Sequence, residues 1–236
     1  MALLDIIQML DPLLKKPSRK INHVNDELRQ LIADMDETIK KYEGVGLAAV
    51  QVGVHKRLFL IRIPELIQED LEPDEAIELL ESDDPEAKKG IYEIATRNLE
   101  DPEAEPIITY VRRSLYWPEP KLLINPRIIE KEGAIIDDEG CLSDIGYQAK
   151  VERARRVIVA AFDIDMNVIQ IEAKGLEARC LQHEADHLEG IIYHDRMIEG
   201  TRETMPGTRE DDDAGEGKTR EEGEDSGGNE GQETEG

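Results

Sequence analysis

His183, Glu184, Ala185, Asp186 and His187 set two imidazoles four residues apart with a carboxylate beside the first, and no other feature constrains the chain as strongly. The segment around them reads as a helix, opened by Gly175, running from Leu176 to about Glu189 and closed by Gly190, where a left-handed residue ends a helix without steric cost. At this spacing both imidazoles leave one helix face and can grip one ion. Glu184, one step along, reaches a water on that ion without being a ligand. Catalytic sites of this kind use three protein donors and keep a fourth position open, so the fold must bring one more donor to that face. The rival explanation is a helix surface that carries two histidines by chance. With five histidines in the chain that coincidence is possible, but the glutamate between them makes it the weaker reading.

Two known third-donor positions fail. A histidine six residues after the second would fall on Tyr193, with His194 one residue late, and no folded helix is expected beyond Gly200 to supply a glutamate. The stretch Glu139, Gly140, Cys141, Leu142, Ser143 offers a thiolate instead. Its glycine lets the backbone come close, and the Leu142 N–H is placed to face the site. Alone, Cys141 would be a small packing residue; paired with the helix motif it becomes the third ligand. Cys141 and Cys180 are the two cysteines, and an intracellular chain of this size uses cysteine for metal, catalysis or packing more than for a disulfide.

The rest of the chain predicts an α+β domain. Asn25 caps a helix whose Leu28, Leu31, Ile32, Met35 and Ile39 form one apolar face, ending near Tyr42. Gly44 to Gly53 reads as a loop and Leu58 to Ile61 as a buried strand. Lys121 to Asn125 is a strand stopped by Pro126, and Val157 to Phe162 with Val168 to Ala173 form a hairpin turning at Asp165, Met166 and Asn167. Charge marks two appendages. Residues 65–105 hold 16 acidic side chains against 3 basic, and residues 201–236 hold 13 against 4, within a net charge of −25. The acidic, proline-punctuated stretch from 65 to about 114 reads as a partly helical insertion. Residues 200–236 lack the apolar content to offset chain entropy and read as a disordered tail, leaving residues 1–199 as the catalytic domain. Acidity on this scale excludes a basic nucleic-acid footprint. No apolar run reaches the ~20 residues of a membrane span, and Met1 to Leu10 lacks a secretory or organelle signal, so a cytoplasmic location of bacterial type is expected.

Three separated motifs, Gly44-Val45-Gly46-Leu47-Ala48-Ala49-Val50-Gln51, Glu139 to Ser143 and His183 to His187, resemble those of peptide deformylases in the same order. The likeness spans most of Leu3 to Asp195 apart from the insertion. It implies antiparallel strands packed around a central metal-binding helix, with an N-terminal helix. It also implies hydrolysis of the N-formyl group of nascent chains beginning with formylmethionine, with release of formate. Cys141, His183 and His187 would hold one divalent ion, which the resemblance implies to be ferrous iron in the cell; the donor set itself equally suits zinc, cobalt or nickel. Glu184 would be base and then acid toward a metal-activated water, with Gln51 and the Leu142 N–H as the oxyanion hole.

Val45, Leu176 and Cys180 would line the methionine pocket, and Gly44 and Gly46 would let an extended substrate pair with the loop backbone. The ribosome is the implied, transient partner. The chain departs from the family pattern at Val50, at Asp144 and Ile145 and at Gln148, where a proline, a Val-Pro or Ile-Pro pair and a substrate-facing arginine are common. The remaining alternatives are a zinc endopeptidase and a non-catalytic ribosome-associated binder.

Overall fold

The computed structural model describes residues 2–82, 91–96 and 107–205. A first helix, α1 (Asp26–Lys41), begins where Asn25 accepts the Leu28 N–H at 3.0 Å, with Asp26 and Glu27 in its first turn and Lys40 and Lys41 in its last, all favourable to the helix dipole. Its Leu28, Met35 and Ile39 are buried. They pack on one face of a five-stranded antiparallel sheet ordered β1 (Gly46–Ala48), β2 (Leu58–Ile61), β6 (Lys121–Glu132), β9 (Arg156–Phe162) and β10 (Val168–Lys174).

The two-residue period of β2 divides the core. Leu58 and Leu60 join the cluster under α1, whereas Phe59 and Ile61 join a second cluster on the opposite face. There Leu123, Val157, Val159 and Ala161 meet Ala178, Cys180, Leu181 and Leu188 of the motif helix α3 (Gly175–Leu188). A second sheet, β11 (Glu203–Thr204), β8 (Asp144–Arg153) and β7 (Ile135–Cys141), reaches α3 through side chains of β7. Ten of the fourteen α3 residues are buried, including the polar Arg179, Gln182, His183, Glu184, Asp186 and His187. The fold is thus α+β, with antiparallel strands around a central helix. Among the described residues no helix is long and apolar enough to cross a membrane.

Several boundaries differ from the sequence reading. Gly44 to Gly53 is not all loop: it contains β1 and the 3₁₀ turn Ala49–Val52. β6 does not stop at Pro126, because its register against β9 shifts between Ile124 and Arg127 and Asn125 takes a φ of 49°. That irregularity accommodates a residue with no N–H to donate. The segment 65–114 has the expected helix, α2 (Pro73–Glu81), and also a three-stranded sheet ordered β3 (Glu65–Leu71), β5 (Ile107–Tyr116) and β4 (Ile91–Thr96). The expected disorder concerns residues 200–236, of which 206–236 lie outside the described residues.

Ordered structure continues past residue 199. Thr201 Oγ1 accepts the Lys150 N–H, Arg202 bonds Asp144, and Glu203 and Thr204 pair with Gln148 and Tyr147. Truncation after Met205 should leave the melting temperature unchanged, since the acidic residues beyond it have little apolar surface to bury. Truncation after Gly200 removes all of these bonds and should lower the melting temperature by at least about 4 °C. Differential scanning calorimetry distinguishes the two.

Candidate metal centre

The centre is set by how α3 lies along β7. Arg179, His183 and His187 follow one another at four-residue steps, which advance about 6 Å along a helix, while Asp137, Glu139 and Cys141 follow at two-residue steps, which advance about 6.6 Å along a strand. The repeats match, so three side-chain pairs form in register. Arg179 Nη1 donates to Asp137 at 2.6 Å, His183 Nδ1 meets Glu139 Oε1 at 2.7 Å, and His187 Nε2 lies 3.4 Å from Cys141 Sγ.

At the last pair the donors converge. The Nε2 atoms of His183 and His187 are 3.1 Å apart, and the donor atoms of Cys141, His183 and His187 all lie within 4.8 Å of one another. An ion held tetrahedrally at about 2.0–2.1 Å from nitrogen and 2.3 Å from sulfur requires edges of about 3.4 Å and about 3.6 Å. The two edges that His187 makes, 3.1 Å and 3.4 Å, are close to these. Charge agrees with geometry. Burial alone would push His183 down, yet Cys141 and Glu139 together raise it well above the ordinary histidine range, while burial and the neighbouring His183 push His187 well down. The identity and spacing of the three donors fit a metal ion.

The His183 contact fixes a tautomer. Glu139, held far below the usual carboxylate range by His183 and Arg153 despite its burial, accepts from Nδ1 and leaves Nε2 free to ligate. Arg153 of β8, 3 % exposed, grips Glu139 through Nε at 3.0 Å and Nη2 at 2.5 Å, and its Nη1 bonds Asp186 of α3. Arg196 bonds the same Asp186. Two buried carboxylates are thus neutralised by arginines beside the ligands.

Glu184 is buried, and burial pushes its carboxyl up to about 7. Its Oε2 has no hydrogen-bond partner among the described residues. Gly46 of β1 makes room for it: a Cβ there would overlap Glu184 Oε1 and lie 2.9 Å from Cys180 Sγ. Gln51, also buried, accepts the Ala48 N–H at Oε1, which turns Nε2 toward the centre at 3.3 Å from Cys141 Sγ and 3.2 Å from Ser143 Oγ. Leu142 occupies the two-residue turn between Cys141 and Asp144, and a Cβ on Gly44 would meet its Cδ1 at 2.8 Å. Cys180 Sγ donates to the Val45 carbonyl at 3.2 Å, joining two expected pocket residues. Leu176, 46 % exposed, stands nearer the rim. The sequence reading missed Arg153, Asp186 and the Arg179–Asp137 pair. Glu139 could have been found from its position two residues before Cys141 on a strand; Arg153 left no local signal.

This arrangement defines a class: an α+β protein that presents a Cys-His-His donor set beside a buried carboxylate of near-neutral pKa. The model of the polypeptide deformylase family matches residues 3–203. A peptide deformylase of Thermodesulfovibrio yellowstonii is 36 % identical over 203 residues, covering 86 % of this chain and 94 % of the relative. The crystal structure of the Ehrlichia chaffeensis peptide deformylase superposes with a TM-score of 0.60 at 31 % identity, covering 84 % of this chain and 89 % of the other. The same protein in complex with actinonin gives a TM-score of 0.60 at 30 % identity, with coverages of 84 % and 91 %. The chain belongs to the polypeptide deformylase family, whose members are metal-dependent enzymes acting on formylated nascent peptides.

Arg153→Met should leave Glu139 and Asp186 buried without their shared cation and destabilise the fold by about 3–5 kcal/mol. Chemical denaturation of the variant checks this, and an unchanged midpoint would contradict it. Gly46→Ala should cut turnover by at least about tenfold through displacement of Glu184 while leaving metal content at the wild-type value, read by elemental analysis beside the activity assay.

Proposed function

We propose that the chain removes the formyl group from the N-terminal formylmethionine of nascent polypeptides and releases formate, with Cys141, His183 and His187 as ligands to one divalent ion. The observation that carries this reading is the convergence of those three donors next to a buried Glu184, one oxygen of which has no hydrogen-bond partner among the described residues. When bound, the ion lowers the pKa of a water toward neutrality and polarises the formyl carbonyl. Iron is proposed as the cellular ion, with zinc, cobalt and nickel able to occupy the same donors.

Glu184 takes the proton from the attacking water at its unpartnered oxygen and later delivers it to the departing amine, a double role suited to a carboxyl whose pKa is about 7. Gln51 Nε2 and the Leu142 N–H stabilise the charge that develops on the carbonyl oxygen. Gln51 is suited to this because the Ala48 N–H holds its amide in one orientation before substrate arrives. Val45, Cys180 and Leu176 receive the methionine side chain, and Gly44 and Gly46 give the substrate backbone access to the edge of β1. Residues 1–204 constitute the catalytic domain, with 65–114 as an insertion and the acidic residues beyond as a tail. The enzyme works in the cytoplasm, meets the ribosome transiently and makes no nucleic-acid contact of its own, consistent with a net charge of −25.

Glu184→Gln should retain the ion and lose about 10²–10⁴-fold in turnover. Gln51→Leu should lower kcat by about 10²-fold with a smaller effect on KM. Both are checked by formate release from formyl-Met peptides after anaerobic purification, with metal analysis of the same samples. Formate release by Glu184→Gln equal to the wild type would remove the assignment of that residue.

A further inference from the structure

Besides Glu139, a second carboxylate ties the turn that follows Cys141 to the segment that follows α3. β7 and β8 are joined by only Leu142 and Ser143, with Cys141 paired to Asp144 across the turn. The Asp144 side chain is 11 % exposed, and its Oδ2 accepts the Tyr193 hydroxyl at 2.5 Å and meets His194 Nε2 at 2.9 Å. Arg202 Nη2 adds a bond to Oδ1 at 3.2 Å. Tyr193 is buried, and its ring stacks on that of His183 at 6.4 Å between centroids and 27° between planes. A single link therefore runs from the turn that holds the thiolate, through Asp144 and Tyr193, to the imidazole of a second donor. Arg202 lies over the Tyr147 ring at 3.8 Å and immediately precedes β11, which pairs with Tyr147 and Gln148 of β8.

We propose that Asp144 and Tyr193 are positioning residues of the metal centre, and that Arg202 secures Asp144 from the C-terminal segment. The inference rests on Cys141, His183 and His187 being the ligands. An ion is lost when one ligand swings away before the others. A two-residue turn anchored by charge-assisted hydrogen bonds resists that motion where a turn held only by backbone pairing would not. The tyrosine serves because its ring packs on the ligand while its hydroxyl donates to Asp144. Glu139 and Arg153 hold His183 at Nδ1, whereas Tyr193 lies against the ring, so the two supports are separate.

The test uses the zinc-loaded full chain and reads the rate of zinc transfer to an excess of chelator, with the melting temperature of each metal-free protein measured alongside. Tyr193→Phe keeps the ring and removes only the hydroxyl, so it should fold; it and Asp144→Asn should each speed zinc loss about 10-fold. The double variant should be no faster than the faster single one, because both break the same link. Arg202→Ala should speed loss less, and Arg202→Lys should restore it. Unchanged rates in Tyr193→Phe, or effects that multiply in the double variant, would overturn the proposal. So would a drop in melting temperature with no change in rate, which marks a purely structural role. Should Asp144→Asn not fold, Tyr193→Phe decides alone. Cys141→Ser separates the two levels of inference: if it binds and releases zinc as the wild type does, the ligand assignment itself is wrong and the positioning role falls with it.

Discussion

The match in rise between four residues of helix and two of strand is the constraint on which the rest depends. It lets α3 and β7 run side by side with Arg179, His183 and His187 opposite Asp137, Glu139 and Cys141, so that one ion pair, one orienting hydrogen bond and one ligand pair arise from a single register. Sliding either element by one residue would disrupt all three contacts. The five-stranded sheet resists this by packing on Ala178, Leu181 and Leu188 of the same helix.

A centre built this way buries charge, and the surrounding fold compensates for it. Glu139, Asp186 and Arg153 are removed from water together, an arrangement that tolerates no missing partner. Glu184 is different. It lies at the same depth with no cation bonded to its free oxygen, and its raised pKa follows from that isolation. Two acids on adjacent elements are thereby separated: Glu139 is held as an anion against His183, and Glu184, pushed up to about 7, is the group proposed to exchange a proton. Gly46 belongs to the same division, because any side chain there would occupy the space Glu184 needs.

Much of this was legible in the sequence, unevenly and for physical reasons. α3 could be read because glycines bound it and its motif has helical spacing; β2, α1 and the β9–β10 hairpin could be read because their apolar residues keep a clean period. β7 could not, since the positions that meet α3 carry Asp137, Glu139 and Cys141 and its residues give no apolar alternation. β3 was hidden in the same way, with six of its seven residues exposed and three of the seven acidic. The continuation of β6 through Pro126 required an irregularity at Asn125 that no local signal announces. The candidate ligands were recognisable because few residue types bind metal. Their supports were not, because Arg153 and Tyr193 act through partners brought close only by cross-strand pairing and by the fold of the C-terminal segment.

X-ray absorption at the metal edge of the anaerobically purified protein tests the central claim most directly, since it counts donors by element around the ion. One sulfur at about 2.3 Å and two imidazole nitrogens at about 2.0–2.1 Å, with one ion per chain, are expected. A first coordination sphere without sulfur would remove Cys141 from the centre and, with it, the pairing of α3 and β7 as the origin of the site.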